Sequence, residues 1–179
     1  MAKLKLLKID FNEIQKAMED VSRDAYDYFL NTETGKVITI SIDALKNAEA
    51  TLYKTNDESM EKEIALEEYE MPDWVEEEIE LAIKIFSEEK ERHVRIPERK
   101  SQEAYSLMNG FTESIEEFHP YEELSTALKS SNAFARFKKA LADFPEYRKK
   151  WFAFNANAMK KAITDWLEAI GIKPEQAYH

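Results

Sequence analysis

The sequence predicts an α+β protein, mostly helical, with a small three-stranded antiparallel sheet, helices packed against it and a C-terminal helical bundle. Three observations carry this. Two alternating apolar and polar runs flank a glycine turn near the N-terminus, and a third β-prone run closes at Pro97. Every other segment with a clear period repeats at three and four residues. At 179 residues, 44% hydrophobic and 34% charged, the chain is long enough for one domain with a full core. That domain is expected over residues 1–172, with a frayed tail over 173–179.

Asp10 followed by Glu13 is a capping box ahead of Phe11, Ile14, Ala17, Met18 and Val21, which share one stripe; a first helix should run to about Ser22. The period then changes to two. Tyr26, Tyr28 and Leu30 alternate with Asp27, Phe29 and Asn31, and Lys36 to Ile42 alternates again, so the strands should span Asp24 to Leu30 and Lys36 to Ile42. Gly35 supplies the positive φ that a short hairpin loop requires. Past Ile42 a short helix is expected near Ala44 to Ala50, and the acidic stretch around Thr55 to Glu63 reads as loop.

Pro72 and Asp73 open the next helix, with Trp74, Val75, Ile79, Ala82, Ile83 and Phe86 on its apolar side. Arg92 to Ile96, closed by Pro97, reads as the third strand. Ser101 starts a helix whose Ala104, Tyr105, Met108, Phe111, Ile115 and Phe118 step by three and four. Gly110 inside it costs about 1 kcal/mol relative to alanine, so close packing is expected there. His119-Pro120 should end it, with a short helix over Tyr121 to Leu128. Ser130-Ser131-Asn132 is a turn and N-cap. A helix carrying Phe134, Phe137 and Leu141 should end at Pro145, and a last helix should run from Glu146 to a stop at Gly171.

Composition excludes several function classes. No apolar run approaches the roughly 20 residues of a membrane span, the N-terminus lacks a leader pattern, and the absence of cysteine rules out disulfides and thiolate chemistry. A reducing cytoplasm fits. With only Gly35, Gly110 and Gly171, no phosphate loop or dinucleotide fingerprint can form, and no cofactor is expected.

Charge is unevenly placed in a chain of net charge -11. Asp57 to Arg92 carries fifteen acidic and four basic residues, whereas Lys129 to Lys161 carries nine basic and two acidic ones. The acidic region either is a solvated helix face, shields the basic one, or imitates a polyanion.

The hairpin YFLNTETGKV (Tyr28 to Val37), RHVRIP followed by SQEAYSLM (Arg92 to Pro97 and Ser101 to Met108), AFARFKKAL (Ala133 to Leu141), and Trp151-Phe152 followed by WLEAIGI (Trp166 to Ile172) together resemble uncharacterised protein family 0158, over about Ile9 to Ile172. The resemblance implies domain limits and a bacterial cytoplasmic setting, and no catalytic residues. The chain departs from the family pattern at Lys100, where an acidic cap is usual. It departs again at Asn155, Asn157 and Ala158, where arginine is more frequent, so an arginine contact there is not carried over.

Catalytic groups are scarce. Of the three histidines, His93 falls in a strand, His179 is the last residue, and His119 follows Glu116 at the Glu-x-x-His spacing of helical di-metal sites. Such a site needs two of these pairs, and one is present, so no metal is expected; an enzyme or metal protein built on Glu116 and His119 is the weakest alternative. The many carboxylates lie on a solvated face that does not separate pKa values. What remains is the basic aromatic segment. Phe134, Phe137, Trp151 and Trp166 hold core spacing and should be buried, leaving Arg136, Lys138, Lys139, Arg148, Lys149 and Lys150 with Phe152 to bind a partner. The expectation is a non-catalytic interaction or regulatory module whose partner is another protein. The alternative is nucleic acid, held by phosphate neutralisation and base stacking.

Overall fold

The computed structural model describes residues 3–20, 23–56, 73–87 and 92–175. The chain forms two compact units, Met1–Glu98 with Gly171–His179, and Arg99–Ile170. Mostly helical α+β is the class found: seven helices and a three-stranded antiparallel sheet among the described residues.

In the first unit, α1 (Phe11–Glu19) starts where expected, because Asp10 Oδ1 accepts the Glu13 N–H at 3.2 Å. Ile14, Ala17 and Met18 are its buried face. It ends three residues early, where the Arg23 guanidinium takes over the C-terminal Ala17 carbonyl, Nη2 donating at 2.8 Å and Nε at 3.0 Å. Val21 and Ser22 lie outside the described residues.

The central strand β2 (Tyr26–Asn31) pairs antiparallel with β3 (Val37–Ser41) on one side and β4 (His93–Arg95) on the other, as the alternation implies. Phe29 faces Ile38 and Arg95, and Asp27 faces Ile40. The Asn31 side chain builds the turn by accepting from the N–H groups of Glu33 (2.9 Å) and Thr34 (3.1 Å), and Gly35 follows at φ +77°.

α2 runs Ile42–Asn56, longer than the expected Ala44 to Ala50, and includes Thr55 and Asn56 of the expected loop; the rest of that loop is outside the described residues. Its buried side is built of Ala44 and Ala48, which pack with Phe29, Ile40, Ala82 and Ile85. Two alanines give little periodic signal against a polar background, which is why the length was not readable. α3 (Asp73–Ser87) begins at Asp73 as expected, with Pro72 outside the described residues; Ala82 and Ile85 are buried and Ile79 and Ile83 pack against the same core, as expected of the apolar side, but Trp74 is 66% exposed. The apolar residues spread over a wide arc of this helix, so spacing alone does not fix which of them are buried.

Two further strands come from the ends of the chain. β1 (Lys5–Leu7) pairs in parallel with β5 (Ile172–Pro174), and the Glu175 N–H donates to the Leu7 carbonyl at 2.8 Å. Residues 173 and 174, expected as frayed tail, are therefore strand; 176–179 lie outside the described residues.

The second unit holds four helices: α4 (Ser101–Glu113), α5 (Phe118–Lys129), α6 (Ala133–Ala142) and α7 (Pro145–Ala169). Both prolines open helices instead of closing them. Pro120 sits in the first turn of α5 and Pro145 at the start of α7, positions whose N–H has no intrahelical acceptor to lose. α4 ends at Ser114, whose hydroxyl donates to the Phe111 carbonyl at 2.6 Å. Asn132 takes the left-handed conformation at φ +61° ahead of α6, and Gly171 at φ +85° follows α7 as the expected stop. The core is Met108, Phe111, Ile115, Leu124, Leu128, Phe137, Leu141 and Trp151.

Gly110 corrects a further expectation. A Cβ built there meets nothing within 4 Å, so no neighbour demands a glycine. Gly110→Ala should therefore raise stability by about 0.5–1 kcal/mol through helix propensity and reduced unfolded-state entropy. A higher urea midpoint at unchanged slope checks this; a lower one rejects it.

Tyr28 gives the first unit an alkaline limit. Its hydroxyl donates to Asp20 Oδ2, and this bond, with burial and the charge of Asp20, pushes the phenol from 10.0 up to about 12. A pKa raised on folding contributes stability that is whole below pH 10 and is lost as pH rises towards 12. Stability should thus fall faster over that window in the parent protein than in Tyr28→Phe, measured by urea unfolding at each pH.

Candidate functional site

Two buried stripes decide what α6 and α7 present outward. On α6, Phe137 and Leu141 stand four residues apart and are 0% and 2% exposed. On α7, Trp151, Asn155, Met159, Ile163 and Leu167 repeat every four residues and are all buried. Trp151 is locked by aromatic contacts, its ring centroid 5.3 Å from Phe137 and 5.5 Å from Phe111, both edge-on. With that face committed to the core, the residues between the stripes must point away. Arg136, Lys138, Lys139, Arg148, Lys149 and Lys150 are indeed all exposed.

Phe137 and Trp151 are buried as the spacing requires. Phe134, in the first turn of α6, is 36% exposed, and Trp166 is half-buried, so the expected burial holds for two of the four rings. Phe152 is 54% exposed.

The cations flank the short Asp143–Phe144 corner, Arg136, Lys138 and Lys139 in the middle of α6 and Arg148 to Lys150 across the first and second turns of α7. Arg148 lies over the Phe152 ring, its Cζ 5.1 Å from the centroid, and Lys150 Nζ lies 5.1 Å from the Tyr147 centroid. Among the described residues, none of the six forms an ion pair. Lys161, further along α7, does pair, with Asp165 at 3.0 Å. Helix-dipole stabilisation accounts for Lys139 in the last turn of α6 but not for three consecutive cations near the N-terminus of α7.

The same unit segregates its acidic groups. Ser101 to Leu128, which covers α4 and nearly all of α5, has six acidic residues and no lysine or arginine. Within this unit the cations of α6 and α7 thus follow, along the chain, a stretch whose formal side-chain charge is wholly acidic.

Other sequence candidates are not assembled into a site. Glu116 lies before the first residue of α5 and His119 within its first turn, so their spacing does not place them one helical turn apart. His119 sits edge-on to the Phe144 ring at 5.6 Å. Among the described residues, no group of three metal-ligating side chains gathers anywhere. His93 is buried in β4 at 7% exposure, and His179 is outside the described residues. No helix among the described residues is long and apolar enough to cross a membrane.

The chain resembles one curated relative in particular, the UPF0158 protein PA5073 of Pseudomonas aeruginosa, with 31% identity over 90 residues. The alignment takes in 50% of this chain and 59% of the relative, so the chain spans under two thirds of that protein's length. No solved structure matches. A family model described as an uncharacterised protein family, UPF0158, matches residues 64–177, which include the whole of the four-helix unit and every cation of the basic corner. That match covers more than half of the sequence, and the chain belongs to this family.

Proposed function

We propose that this protein acts by binding another macromolecule, without chemistry of its own, through the basic corner of α6 and α7, and that the partner surface is an acidic segment of a second protein in the cytoplasm. One observation carries the reading: six exposed cations flank one helix corner, and none of them forms an ion pair among the described residues. Leaving such a cluster unpaired on a chain of net charge -11 makes it the place where an anionic surface is drawn in and oriented. Phe152, half in water beside Arg148, adds an apolar anchor at its edge.

A second reading is favoured by that same ring. An exposed aromatic under a guanidinium is also how unpaired bases are stacked next to neutralised phosphates, which makes single-stranded nucleic acid the alternative. Fluorescence anisotropy with a labelled Glu-rich peptide and with mixed-sequence single-stranded DNA and RNA, at low and moderate salt, separates the two. The peptide should bind the parent protein with an affinity that falls as salt rises. A variant carrying Lys138→Glu, Lys139→Glu, Lys149→Glu and Lys150→Glu should bind at least about tenfold more weakly. Preference for the nucleic acids at equal salt would replace the protein partner by the alternative. Equal binding by parent and variant would remove the corner as the docking site.

A further inference from the structure

The first unit contains a cavity of about 400 Å3 at the point where β2 begins, β3 ends and α2 and α3 start. We propose that it is a binding site for an organic cation, a guanidinium or alkylammonium group, held against the Trp74 and Tyr26 rings and neutralised by Asp24, Asp43 and Glu78. The aromatic walls are the primary observation. Trp74 is 66% exposed and Tyr26 47% exposed, both line the cavity, and neither ring contacts another ring or a cation among the described residues. Two large aromatics left in water beside one cavity are unusual on a surface with no ligand to cover them.

The acidic groups select which ligand would cover them. Asp24 and Asp43 are exposed at the cavity and form no ion pair among the described residues. Glu78 is held by one oxygen: its Oε1 accepts the Ser41 N–H at 2.6 Å, and among the described residues Oε2 has no partner. An anionic ligand is excluded by three carboxylates. These carboxylates do not gather into a group of three metal-ligating side chains, so the arrangement favours a larger cation over a bare metal ion. A cation with a larger radius and polarisable or methylated faces satisfies both constraints, since aromatic faces attract it by their quadrupole and separated carboxylates can each reach one edge. The cavity volume lies in the range that takes a small organic group with part of its chain.

The ligand group could be free or could be an arginine or lysine side chain of a peptide, and one titration distinguishes these. In the full-length 15N-labelled protein, the Trp74 indole N–H is identified by its loss in Trp74→Phe. Capped arginine (N-acetyl-arginine methylamide) and tetramethylammonium chloride are then titrated against sodium chloride at equal ionic strength. A saturable shift of the Trp74 signal is expected with the organic cations and not with sodium. Trp74→Ala and the pair Asp24→Asn with Asp43→Asn should each weaken capped-arginine binding by about tenfold, read for Trp74→Ala from neighbouring backbone amides. A short arginine-containing peptide that binds at least about tenfold tighter than capped arginine assigns the site to a peptide; equal affinity assigns it to a free small cation. No saturable shift with either organic cation, or shifts that persist in both variants while amide dispersion elsewhere is unchanged, would overturn the site.

Discussion

Asp27→Ala is expected to lower stability by about 3–5 kcal/mol, the range found when one partner is removed from a buried ion pair. Asp27 accepts Arg23 Nη1 through Oδ1 and Arg95 Nε through Oδ2, each at 2.7 Å, and the Tyr28 N–H at 2.9 Å. Its side chain is 12% exposed and that of Arg23 only 5%. Arg23 is simultaneously committed to the Ala17 carbonyl and, through Nη2 at 3.3 Å, to the Pro97 carbonyl, so it ties the end of α1 to β2 and to the segment after β4. Removing the carboxylate leaves this guanidinium buried, still anchored by those carbonyls and without its counter-charge. It cannot swing into water without giving up both anchors.

The same arrangement predicts an asymmetry. Arg95 is 54% exposed on its side chain, so Arg95→Ala should cost only about 0–1 kcal/mol. Asp27→Asn, which keeps one acceptor oxygen, should fall between the two. Urea unfolding by circular dichroism, with amide exchange of Tyr28 to Leu30, gives all three values. A loss below about 1 kcal/mol for Asp27→Ala would mean that water reaches Arg23 and that the network contributes little.

This network shows where sequence reading stops. Alternation identified β2 and placed Asp27 on the face shared with Phe29, but nothing in spacing says that a charged residue on that face is buried. The pairing needs Arg23 from the preceding turn and Arg95 from sixty-eight residues later, and the second exists only because β4 lies beside β2. Parallel pairing of β1 with β5 is a stronger case of the same limit. Each strand has three residues, too few to show a period, and they come from opposite ends of the chain. Pro120 and Pro145 were misread for a different reason: a proline interrupts a helix interior but favours a first turn, and the local pattern does not say which side of it the helix lies on.

The basic corner was legible further. Phe137 and Trp151 hold core spacing, so the outward direction of Lys138, Lys139 and Lys150 follows from helix geometry alone. Arg148 and Phe152 stand four apart, the spacing at which a guanidinium reaches a ring on the same helix. What spacing does not show is that the six cations form no ion pair among the described residues, because that depends on where Asp143, Glu146 and the acidic run of α4 and α5 end up. The Trp74 cavity was not legible for a related reason. An apolar residue at helical spacing is taken for core, and only the packing of α3 through Ala82 and Ile85 shows that Trp74 is left out.

Gly35→Ala is expected to cost about 2–5 kcal/mol, through two separate terms. The first is conformational: Gly35 sits at φ +77°, and an L-residue with a Cβ pays about 1–2 kcal/mol to adopt that region. The second is steric. A Cβ at this position falls 2.4 Å from the Lys8 carbonyl oxygen and 3.3 Å from Ile9 Cδ1. The oxygen belongs to the backbone between β1 and α1, so it cannot turn away as a side chain would, and overpacking of this kind costs about 1–3 kcal/mol. Gly171 separates the terms. It also has positive φ, at +85°, but a Cβ there meets nothing within 4 Å, so Gly171→Ala should show the conformational cost alone. The difference between the two variants in urea unfolding then measures the close approach of the hairpin turn to the Lys8 backbone. Equal losses would mean that the turn and that segment are not in contact in solution. A larger loss at Gly35, with exchange protection lowered at Asn31 and Gly35, whose N–H donates to the Asn31 carbonyl at 2.8 Å, would show that the turn fixing the β2–β3 register is also what seats the hairpin beside the start of α1.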